Sequence, residues 1–364
     1  MNKTHPVVPV VQMAVMASAL CVPALPCLAA GGAAAGWGSP YGGLTPPPAS
    51  LGAVMQLDGG ENHSVAIRSN GTVVSWGFPG PYYDVPSDLL PCTQISCGLY
   101  CTFALQQDGT VRAWGLDTVG ETTVPSDLGP CLQVSAGNEH AVALQVGGTV
   151  RCWGWNDLGQ CDVPADLGTC INVAGGGAHT LALKPDGTVR AWGAGTTNTG
   201  FAPNFGQALV PANLPPSKAI SAGDRHSVAL SMAGQVTCWG DNSYGQCSVP
   251  ADLGPCKAVV AATFHNVAIR VDGTVRCWGY NDINQCDPPA SLAPAMVVGG
   301  GFHTSYAVVM DPAVGADLNN DGVVDGTDLG LLLGSWGPST GAADLNGDGV
   351  VDGTDLGMLL GSWS

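Results

Sequence analysis

Charge is scarce in this chain of 364 residues, and positive charge is the scarcest kind. Only 11% of the residues are charged, and 11 Lys and Arg stand against 28 Asp and Glu, for a formal net charge of −17. Affinity for nucleic acid comes from clustered Lys and Arg that neutralise phosphates, whereas the basic residues here are scattered. The composition therefore predicts that nucleic acid is not a partner.

Short motifs that mark common catalytic sites are also missing. The sequence contains no GxSxG, no HExxH, no Walker loop and no paired carboxylates beside an aromatic platform. Lone acids such as Glu61, Glu121 and Glu139 recur at no shared position. We therefore favour a non-catalytic protein. The alternative is a hydrolase or lyase that acts on polysaccharide through a site assembled from distant residues.

Only the N-terminus carries a long apolar run. Residues 1–30 contain a single Lys3, an apolar stretch from Pro6 and a small-residue exit, Cys27–Ala30. This is the layout of a secretory signal peptide. A membrane anchor is the alternative, but four prolines interrupt the run and no basic stop-transfer cluster follows. We predict export to the cell surface or medium, cleavage near residue 30 and no stable membrane insertion afterwards.

Glycine and proline are abundant, at 53 and 27 residues, which suits a turn-dense all-β fold. The segment Ser135–Val173 contains two apolar runs separated by Gly147-Gly148, followed by Trp-Gly, Gly-Gln and Val-Pro segments. Short Val- and Trp-rich runs bounded by Gly and Pro are typical of strands joined by tight turns. The unit returns as Ser221–Val259 and more loosely elsewhere. A unit of this length that recurs at a fixed period indicates a propeller blade.

Trp-Gly pairs set the period of this repeat. They occur at Trp76, Trp114, Trp153, Trp192, Trp239 and Trp278, in steps of 38, 39, 39, 47 and 39 residues. Another pair begins at Trp37, while the complementary half of a repeat occupies Gly299–Met310. We predict an all-β, seven-bladed propeller over residues 31–310, with a last blade shared between both ends (velcro closure), which leaves no open sheet edge. Six blades with frayed ends are the alternative.

A second marker, Gly-x-x-His, accompanies the first. It places six of the seven histidines at what we take as one repeat position, with Cys101 in place of histidine in one repeat: His63, His140, His179, His226, His265 and His303. A ring of imidazoles that binds metal or a proton is the functional hypothesis. We favour a structural role, with each side chain bonded inside its own blade.

The combined pattern, GxxHxxAL…DGxVxxWGxNxxGQ, resembles the repeat of the regulator of chromosome condensation family. The resemblance covers residues 31–310 and implies a seven-bladed propeller. Members of that family differ in task, from nucleotide exchange on a nuclear GTPase to light sensing, enzyme inhibition and scaffolding. The resemblance therefore implies a fold and no single function.

Six cysteines recur in pairs within the pattern CWGxNxxxQC. Where the first position of the pattern lacks cysteine, the second lacks it too, so the two covary within this chain. Nine residues across a hairpin can bring two Cβ atoms within bridging distance. We predict three intra-blade disulfides, while recent duplication of one blade and zinc binding are the competing explanations. The pairs are Cys152/Cys161, Cys238/Cys247 and Cys277/Cys286.

The variable segments after each Trp-Gly gather aromatic residues. One of these segments carries an eight-residue excess within Ala194–Pro211. Loops that vary on a rigid scaffold commonly carry binding, and exposed aromatic rings suit protein or sugar surfaces. We predict a binding face, and packing of the rings between blades is the alternative. The residues are Phe78, Tyr82, Tyr83, Trp155, Phe201, Phe205, Tyr244 and Tyr280.

The propeller pattern stops at Met310, and residues 311–364 contain a different tandem repeat. Oxygen ligands fall at loop positions 1, 3, 5, 7, 9 and 12, with Gly at position 6, the spacing that wraps one chain around calcium. We predict two bound calcium ions. The ligands of the first loop are Asp317, Asn319, Asp321, Val323 (carbonyl), Asp325 and Asp328, and those of the second are Asp344, Asn346, Asp348, Val350 (carbonyl), Asp352 and Asp355.

Two details narrow the type of calcium loop. Position 12 is Asp rather than Glu, and only the segments after the loops, Leu329–Trp336 and Leu356–Trp363, have helical character. The tail thus resembles a type I dockerin, a small all-α module of two half EF-hands that docks onto a cohesin in a calcium-dependent manner. The resemblance implies partner contacts at loop positions 10 and 11, which are Gly326, Thr327, Gly353 and Thr354.

Together these features predict an exported, non-catalytic propeller that acts as a protein- or glycan-binding scaffold. The dockerin-like module would attach it to an extracellular or surface assembly through a cohesin-like or other protein. In the enzymatic alternative, the same module would deliver a polysaccharide-acting activity that survives mutation of the calcium loops.

Overall fold

The structure is a computed structural model that describes residues 31–81, 84–310, 316, 318, 324–339, 341, 343–345 and 350–363. Its helices are α1 (Gly326–Gly334) and α2 (Gly353–Gly361), with 3-10 turns at Tyr41–Gly43 and Ala49–Leu51. Its strands are β1 (Ala33–Gly38), β2 (Val54–Gly59), β3 (His63–Arg68), β4 (Val73–Gly77), β5 (Cys92–Cys97), β6 (Cys101–Gln106), β7 (Val111–Gly115), β8 (Cys131–Ala136), β9 (His140–Gln145), β10 (Val150–Gly154), β11 (Asn172–Gly175), β12 (His179–Leu183), β13 (Val189–Gly193), β14 (Asn198–Phe201), β15 (Asn204–Phe205), β16 (Ser217–Ala222), β17 (His226–Ser231), β18 (Val236–Gly240), β19 (Cys256–Ala261), β20 (His265–Arg270), β21 (Val275–Gly279), β22 (Ala295–Gly300), β23 (Thr304–Val309), β24 (Gly337–Pro338) and β25 (Val350–Val351).

Most of these strands form three-stranded antiparallel sheets, which we call blades and number in chain order. Blades 1 to 4 are β2–β4, β5–β7, β8–β10 and β11–β13, and blades 5 and 6 are β16–β18 and β19–β21. Blade 7 combines β22 and β23 with β1 from the other end of the chain. The first strand of each blade packs against the first strand of the next, and β22 packs against β2.

The Trp-Gly pair ends the outermost strand of each blade. The seven indoles are buried, at 5–8% exposure, and line the apolar layers between blades. The following glycine has a positive φ, as at Gly154 (φ +96°), where a Cβ would lie only 2.8 Å from the carbonyl oxygen of Glu139. An L side chain is strained in that region of backbone space, so the glycine lets the chain turn sharply across the blade.

A carbonyl group in the loop after a blade connects that blade to the middle and outermost strands of the next one. The carbonyl oxygen of Gln160, in the loop after blade 3, accepts hydrogen bonds from Thr180 Oγ1 at 2.8 Å and Trp192 Nε1 at 2.9 Å, both in blade 4. The same arrangement recurs at Gln207, Gln246 and Gln285. The repeated Gly-Gln turn, in which Asn284 replaces glycine before Gln285, thus supplies an acceptor to the following blade.

Glutamine side chains join the innermost strands of blades 1 to 4. Gln133 Nε2 donates to the carbonyl of Val173 at 2.9 Å, and Gln133 Oε1 accepts from the Val173 amide at 3.0 Å. Gln56 and Gln94 make the same two-pronged contact with the next blade. A register shift in the strand just before each glutamine turns its side chain out of the sheet ladder. These side chains satisfy backbone groups that would otherwise be buried without partners.

The described residues of the C-terminal segment pack around a separate small core. Helices α1 and α2 contact each other, and β24 pairs with β25. Both helices end two residues earlier than we predicted. They also begin three residues earlier, because Asp325 and Asp352 cap their N-termini: each carboxylate accepts a 2.7 Å hydrogen bond from the amide two residues on. The core residues are Ala316, Val324, Leu332, Ala343, Leu345, Val351 and Leu359.

The glutamine contacts generate a stability prediction. Replacing Gln133→Ala leaves the buried amide of Val173 without its partner, which should lower the free energy of unfolding by about 2 kcal/mol or more. Gln107→Ala is the matched control, because Gln107 is exposed and only its backbone amide is bonded. Urea denaturation of both variants measures the difference, and equal midpoints would contradict this role of Gln133.

Candidate functional site

The buried histidines connect blades and do not face a common ligand. His140 Nε2 lies 3.0 Å from Thr180 Oγ1, and four other histidines make contacts of 2.8–3.0 Å with the equivalent residue of the next blade: His63, His179, His226 and His265. Our prediction that each histidine bonds inside its own blade is therefore wrong. The first residue of the middle strand directs its ring across the gap between blades, where a hydroxyl or amide oxygen meets it.

His303 does not occupy the repeat position assigned to it. The middle strand of blade 7 begins at Thr304, whose carbonyl accepts the Gly301 amide just as the His140 carbonyl accepts the Gly137 amide. Thr304 therefore stands where the other blades have histidine or cysteine, and His303 fits the Gly-x-x-His marker only because Gly300 precedes the structurally equivalent Gly301. His303 is consequently half-buried beside aromatic rings instead of lying between blades.

Burial keeps the repeat histidines neutral. It lowers the pKa of His63, His140 and His226 to about 4, and that of His179 and His265 to about 3. A neutral imidazole can pair with the hydroxyl of the next blade as donor or acceptor. These side chains are part of the frame.

The loops that vary between blades lie together on one face, which we call the upper face. The backbone amide of the residue after each Trp-Gly donates a hydrogen bond to a carbonyl in the neighbouring loop, that of the residue just before the middle strand. Examples are Trp155 to Glu139 at 2.8 Å and Tyr280 to Phe264 at 3.0 Å. Both loops of every blade are thereby held side by side. Their side chains differ from blade to blade, so this face is the candidate site.

An aromatic cluster occupies the upper face over blades 5 to 7. The predicted residues Tyr244 and Tyr280 lie with ring centroids 4.8 Å apart, and Phe264 is 5.5 Å from Tyr244. Phe302 lies 5.2 Å from Phe264 and continues the cluster towards His303. Tyr244 is 49% exposed. The sequence reasoning missed Phe264 and Phe302, although Phe264 occupies the variable position directly before the middle strand and Phe302 lies two residues before it.

The other predicted aromatic residues form separate groups. Phe78 contacts Tyr41 with tilted rings whose centroids are 4.9 Å apart. Phe201 is 77% exposed on the β14–β15 hairpin, which the eight-residue excess forms, while Phe205 lies beneath the guanidinium of Arg225 at 5.5 Å. Trp155 is half-buried beside the same hairpin. Tyr82 and Tyr83 lie outside the described residues.

The cysteines of each predicted pair are close neighbours in the structure, where all twelve cysteines of residues 31–310 are thiols. The Sγ atoms of Cys238 and Cys247 are 2.6 Å apart. Burial, together with the neighbouring thiol Cys161, raises the pKa of Cys152, and burial with Cys286 raises that of Cys277. Four other buried thiols, each in a different blade, lie beside no second thiol among these contacts and donate to the carbonyl two residues earlier: Cys92, Cys131, Cys170 and Cys256.

The described calcium-loop residues include both position-12 carboxylates. Asp328 is fully buried and accepts the amides of Leu318 at 2.7 Å and Asp325 at 2.9 Å. Asp355 repeats this arrangement in the second loop. A buried carboxylate needs strong compensation, and a hard cation that prefers carboxylate and carbonyl oxygens fits this donor set.

The remaining calcium-loop positions are only partly described. Asp344, Val350 and Asp352 belong to the described residues, as does Asp325. No group of three or more His, Cys, Asp or Glu that could hold a metal occurs among the residues described. Six predicted ligands lie outside them: Asp317, Asn319, Asp321, Val323, Asn346 and Asp348.

Apolar side chains are exposed on both C-terminal helices and just after their ends. Leu333 and Leu360, at equivalent positions of the repeat, are 50% and 51% exposed, and Trp336 and Trp363 are 50% and 46% exposed. The four predicted contact residues are also exposed, in the first turns of α1 and α2: Gly326, Thr327, Gly353 and Thr354. Within the described ranges, none of the helices is long and apolar enough to cross a membrane.

The fold places this chain among propellers built from a known repeat. Two segments, residues 131–160 and 218–246, match the Regulator of chromosome condensation (RCC1) repeat. They correspond to blades 3 and 5. No curated protein gives a significant match. The predicted presence of this repeat in a mostly-β propeller is confirmed.

Solved structures with a similar fold span most of the chain. Prp20p from Saccharomyces cerevisiae is 18% identical with a TM-score of 0.64 and matches 81% of this chain and 95% of its own. Human WBSCR16 is 17% identical with a TM-score of 0.60, over 76% of this chain and 98% of its own. The CRINKLY ectodomain of the Arabidopsis thaliana receptor kinase ACR4 is 21% identical with a TM-score of 0.52, over 67% of this chain and 88% of its own. At these identities the likeness shows the fold alone.

The neutral histidines predict acid sensitivity. Their folded pKa values lie below the unfolded value of about 6.5, so the unfolded chain binds more protons and stability falls as pH drops from 6.5 towards 4. Burial raises the pKa of Asp58 to about 7 and also raises that of Asp224, so these two carboxyls act oppositely and favour the folded state at low pH. Five imidazoles should outweigh them, at about 1–2 kcal/mol each at pH 5.

Urea denaturation at pH 7 and pH 5, with calcium present, measures this effect. His140→Gln, which keeps a polar group for Thr180, should show a smaller loss of stability between the two pH values than the parent protein. A midpoint that does not change between pH 7 and pH 5 would refute the assignment of neutral histidines.

The neighbouring thiols predict selective oxidation. In a disulfide-permissive environment, Cys238 should bond to Cys247, Cys152 to Cys161 and Cys277 to Cys286, each adding about 2–3 kcal/mol of stability in the chain-entropy picture. Mass spectrometry of non-reduced peptides identifies the bonds. Cys256 is the control, because it is buried in the first strand of blade 6 whereas Cys277 lies in the third. Its thiol should be alkylated only after denaturation. Bonds formed in any other pairing would disprove the prediction.

Proposed function

We propose that this protein is an exported scaffold whose propeller binds a protein partner through the aromatic cluster of the upper face. The observation that carries the proposal is the contact chain Tyr244–Tyr280–Phe264–Phe302, which leaves large rings clustered at a surface. Exposed aromatic clusters with a polar rim favour protein interfaces, where Tyr and Phe contribute much of the binding energy. Prp20p, which shares the fold, is described by its binding to Gsp1p and histones.

The proposed ring has seven blades and is closed by its own ends. In support, β1 pairs with β23 from Ala33↔Val309 to Gly38↔Thr304. Trp76 Nε1 donates at 3.0 Å to the carbonyl of Leu44, in the loop that follows β1. Closure of this kind fixes the upper-face loops of blades 7 and 1 against each other, so the binding face is rigid before a partner arrives.

The proposed role of the C-terminal segment is calcium-dependent attachment to another extracellular or surface protein, in the manner of a dockerin. Support comes from the buried carboxylates Asp328 and Asp355 and from the paired exposed residues Leu333/Leu360 and Trp336/Trp363. Equivalent surfaces on two repeats would allow a partner to dock in two orientations. The N-terminal 30 residues would act as the export signal and be removed.

Calcium binding is tested by titrating the full-length protein calorimetrically. We expect two bound ions for the parent protein, and one for either Asp328→Asn or Asp355→Asn, because each variant removes the charged position-12 ligand. Asp88→Asn, an exposed carboxylate of the propeller, is the control and should retain two ions. Undiminished calcium binding by the double variant would rule out these loops.

Partner binding is tested with the immobilised full-length protein and the producer's secreted and envelope proteins. A partner of the C-terminal segment should be retained in calcium, elute with chelator and be lost in Leu333→Glu/Leu360→Glu, which leaves the calcium ligands intact. A propeller partner should be lost in Tyr244→Ala/Tyr280→Ala, and Met232→Ala on the opposite face is the control. If proteins are retained equally by the parent protein and by all of these variants, with and without calcium, the proposed surfaces are wrong.

A further inference from the structure

A cleft on the upper face differs from the aromatic cluster in position and chemistry. It has a volume of about 240 Å³ and lies where loops of blades 2 to 5 meet the β14–β15 hairpin. The eight-residue excess that forms this hairpin occurs in one blade, so the cleft interrupts the repetition of the ring. Its lining includes Trp155, Leu158 and Pro203 on the apolar side, and Asn138, Glu139, Asp224 and Arg225 on the polar side.

A fixed polar network forms one wall of this cleft. Asp224 Oδ2 accepts from Arg225 Nε at 3.1 Å, and Asp224 Oδ1 accepts from Asn138 Nδ2 at 2.9 Å. The Asp224 side chain is 13% exposed and that of Arg225 is 43% exposed. Phe205 of the hairpin lies 5.5 Å below the guanidinium and holds it by a cation–π contact. The polar groups are thus positioned before a ligand enters.

This network differs from the other arginine pairs of the propeller. Four arginines each pair with an aspartate 24 residues earlier, on exposed surface, where such pairs contribute little: Arg112, Arg151, Arg190 and Arg276. Arg225 instead sits directly before the middle strand, in the variable position of the upper face, and bonds Asp224 through Nε. Its two terminal nitrogens make no hydrogen bond to any described residue, so they can donate to a ligand in the cleft.

The charges and surfaces of the cleft select the class of ligand. An anion would meet the carboxylates of Asp224 and Glu139, and a cation would meet the guanidinium of Arg225. A neutral polyol suits both, because each hydroxyl donates to a carboxylate and accepts from Arg or Asn. The apolar side of Trp155 matches the C–H face of a pyranose ring. Ligand pockets usually measure about 300–1,000 Å³, so a cleft slightly below that range fits one or two rings.

We infer that this cleft is a binding site for a neutral saccharide, recognised as a terminal sugar or a disaccharide unit. Trp155 stacks against the ring, while Arg225, Asn138 and the carboxylates of Asp224 and Glu139 bond adjacent hydroxyls. The site is independent of the proposed protein partner and of calcium, since it shares no residue with the aromatic cluster or the C-terminal segment.

The test uses saturation-transfer NMR on the full-length protein with methyl glycosides of glucose, galactose and mannose. Glucuronic acid and glucosamine serve as the anionic and cationic counterparts. At least one neutral glycoside should give a signal at least tenfold above those of the charged sugars. The signal should fall at least tenfold in Trp155→Ala and at least fivefold in Arg225→Lys, which keeps the charge but removes the planar fork.

Leu209→Ala is the matched control, because Leu209 is exposed in the same inserted segment and does not line the cleft. It should bind as the parent does, and thermal melting should show that every variant is folded. No signal from any neutral glycoside would overturn the inference, as would a signal unaffected by both cleft variants. Preferential binding of glucuronic acid or of a tetralysine peptide would instead assign the cleft to a charged ligand.

Discussion

The propeller depends on the need to satisfy polar groups between blades. A three-stranded blade cannot bury its edge groups by itself, so each blade supplies partners to the next. The clearest case is the Gln160 carbonyl, which receives both Thr180 and Trp192 of the following blade, while His140 contacts the same threonine. Carbonyl, hydroxyl, indole and imidazole form one bonded unit. Removal of any member leaves a buried polar group unpaired, which explains why these residue types recur together.

Because the repeated residues are occupied in this frame, the upper face varies from blade to blade at two places. One is the position before the middle strand, and the other is the segment after Trp-Gly. Backbone bonds hold these two segments side by side in each blade. Glu139 and Arg225 occupy the first place in blades 3 and 5, and Phe264 occupies it in blade 6. A polar cleft and an aromatic cluster are therefore built on one scaffold by changes at equivalent positions.

The C-terminal segment is held together by different interactions. Its core is small, and its buried carboxylates, Asp328 and Asp355, bond backbone amides of their own loops. A leucine in each helix and a tryptophan two residues after its end are exposed at equivalent positions of both repeats. The propeller, in contrast, is stabilised by contacts that each blade makes with the next.

The sequence by itself determined the features that depend on local geometry. The period of Trp-Gly, the glycine with positive φ, the paired strands and the neighbouring cysteines of Cys238/Cys247 all follow from patterns within one repeat. Contacts between residues about one repeat or more apart were decided by tertiary structure alone. The histidine bonds to the next blade and the meeting of Asn138 with Asp224 depend on how the blades are placed relative to one another. Local periodicity fixes which side of a strand a residue occupies, but the neighbour that it meets across the gap is set by the packing of one blade against the next.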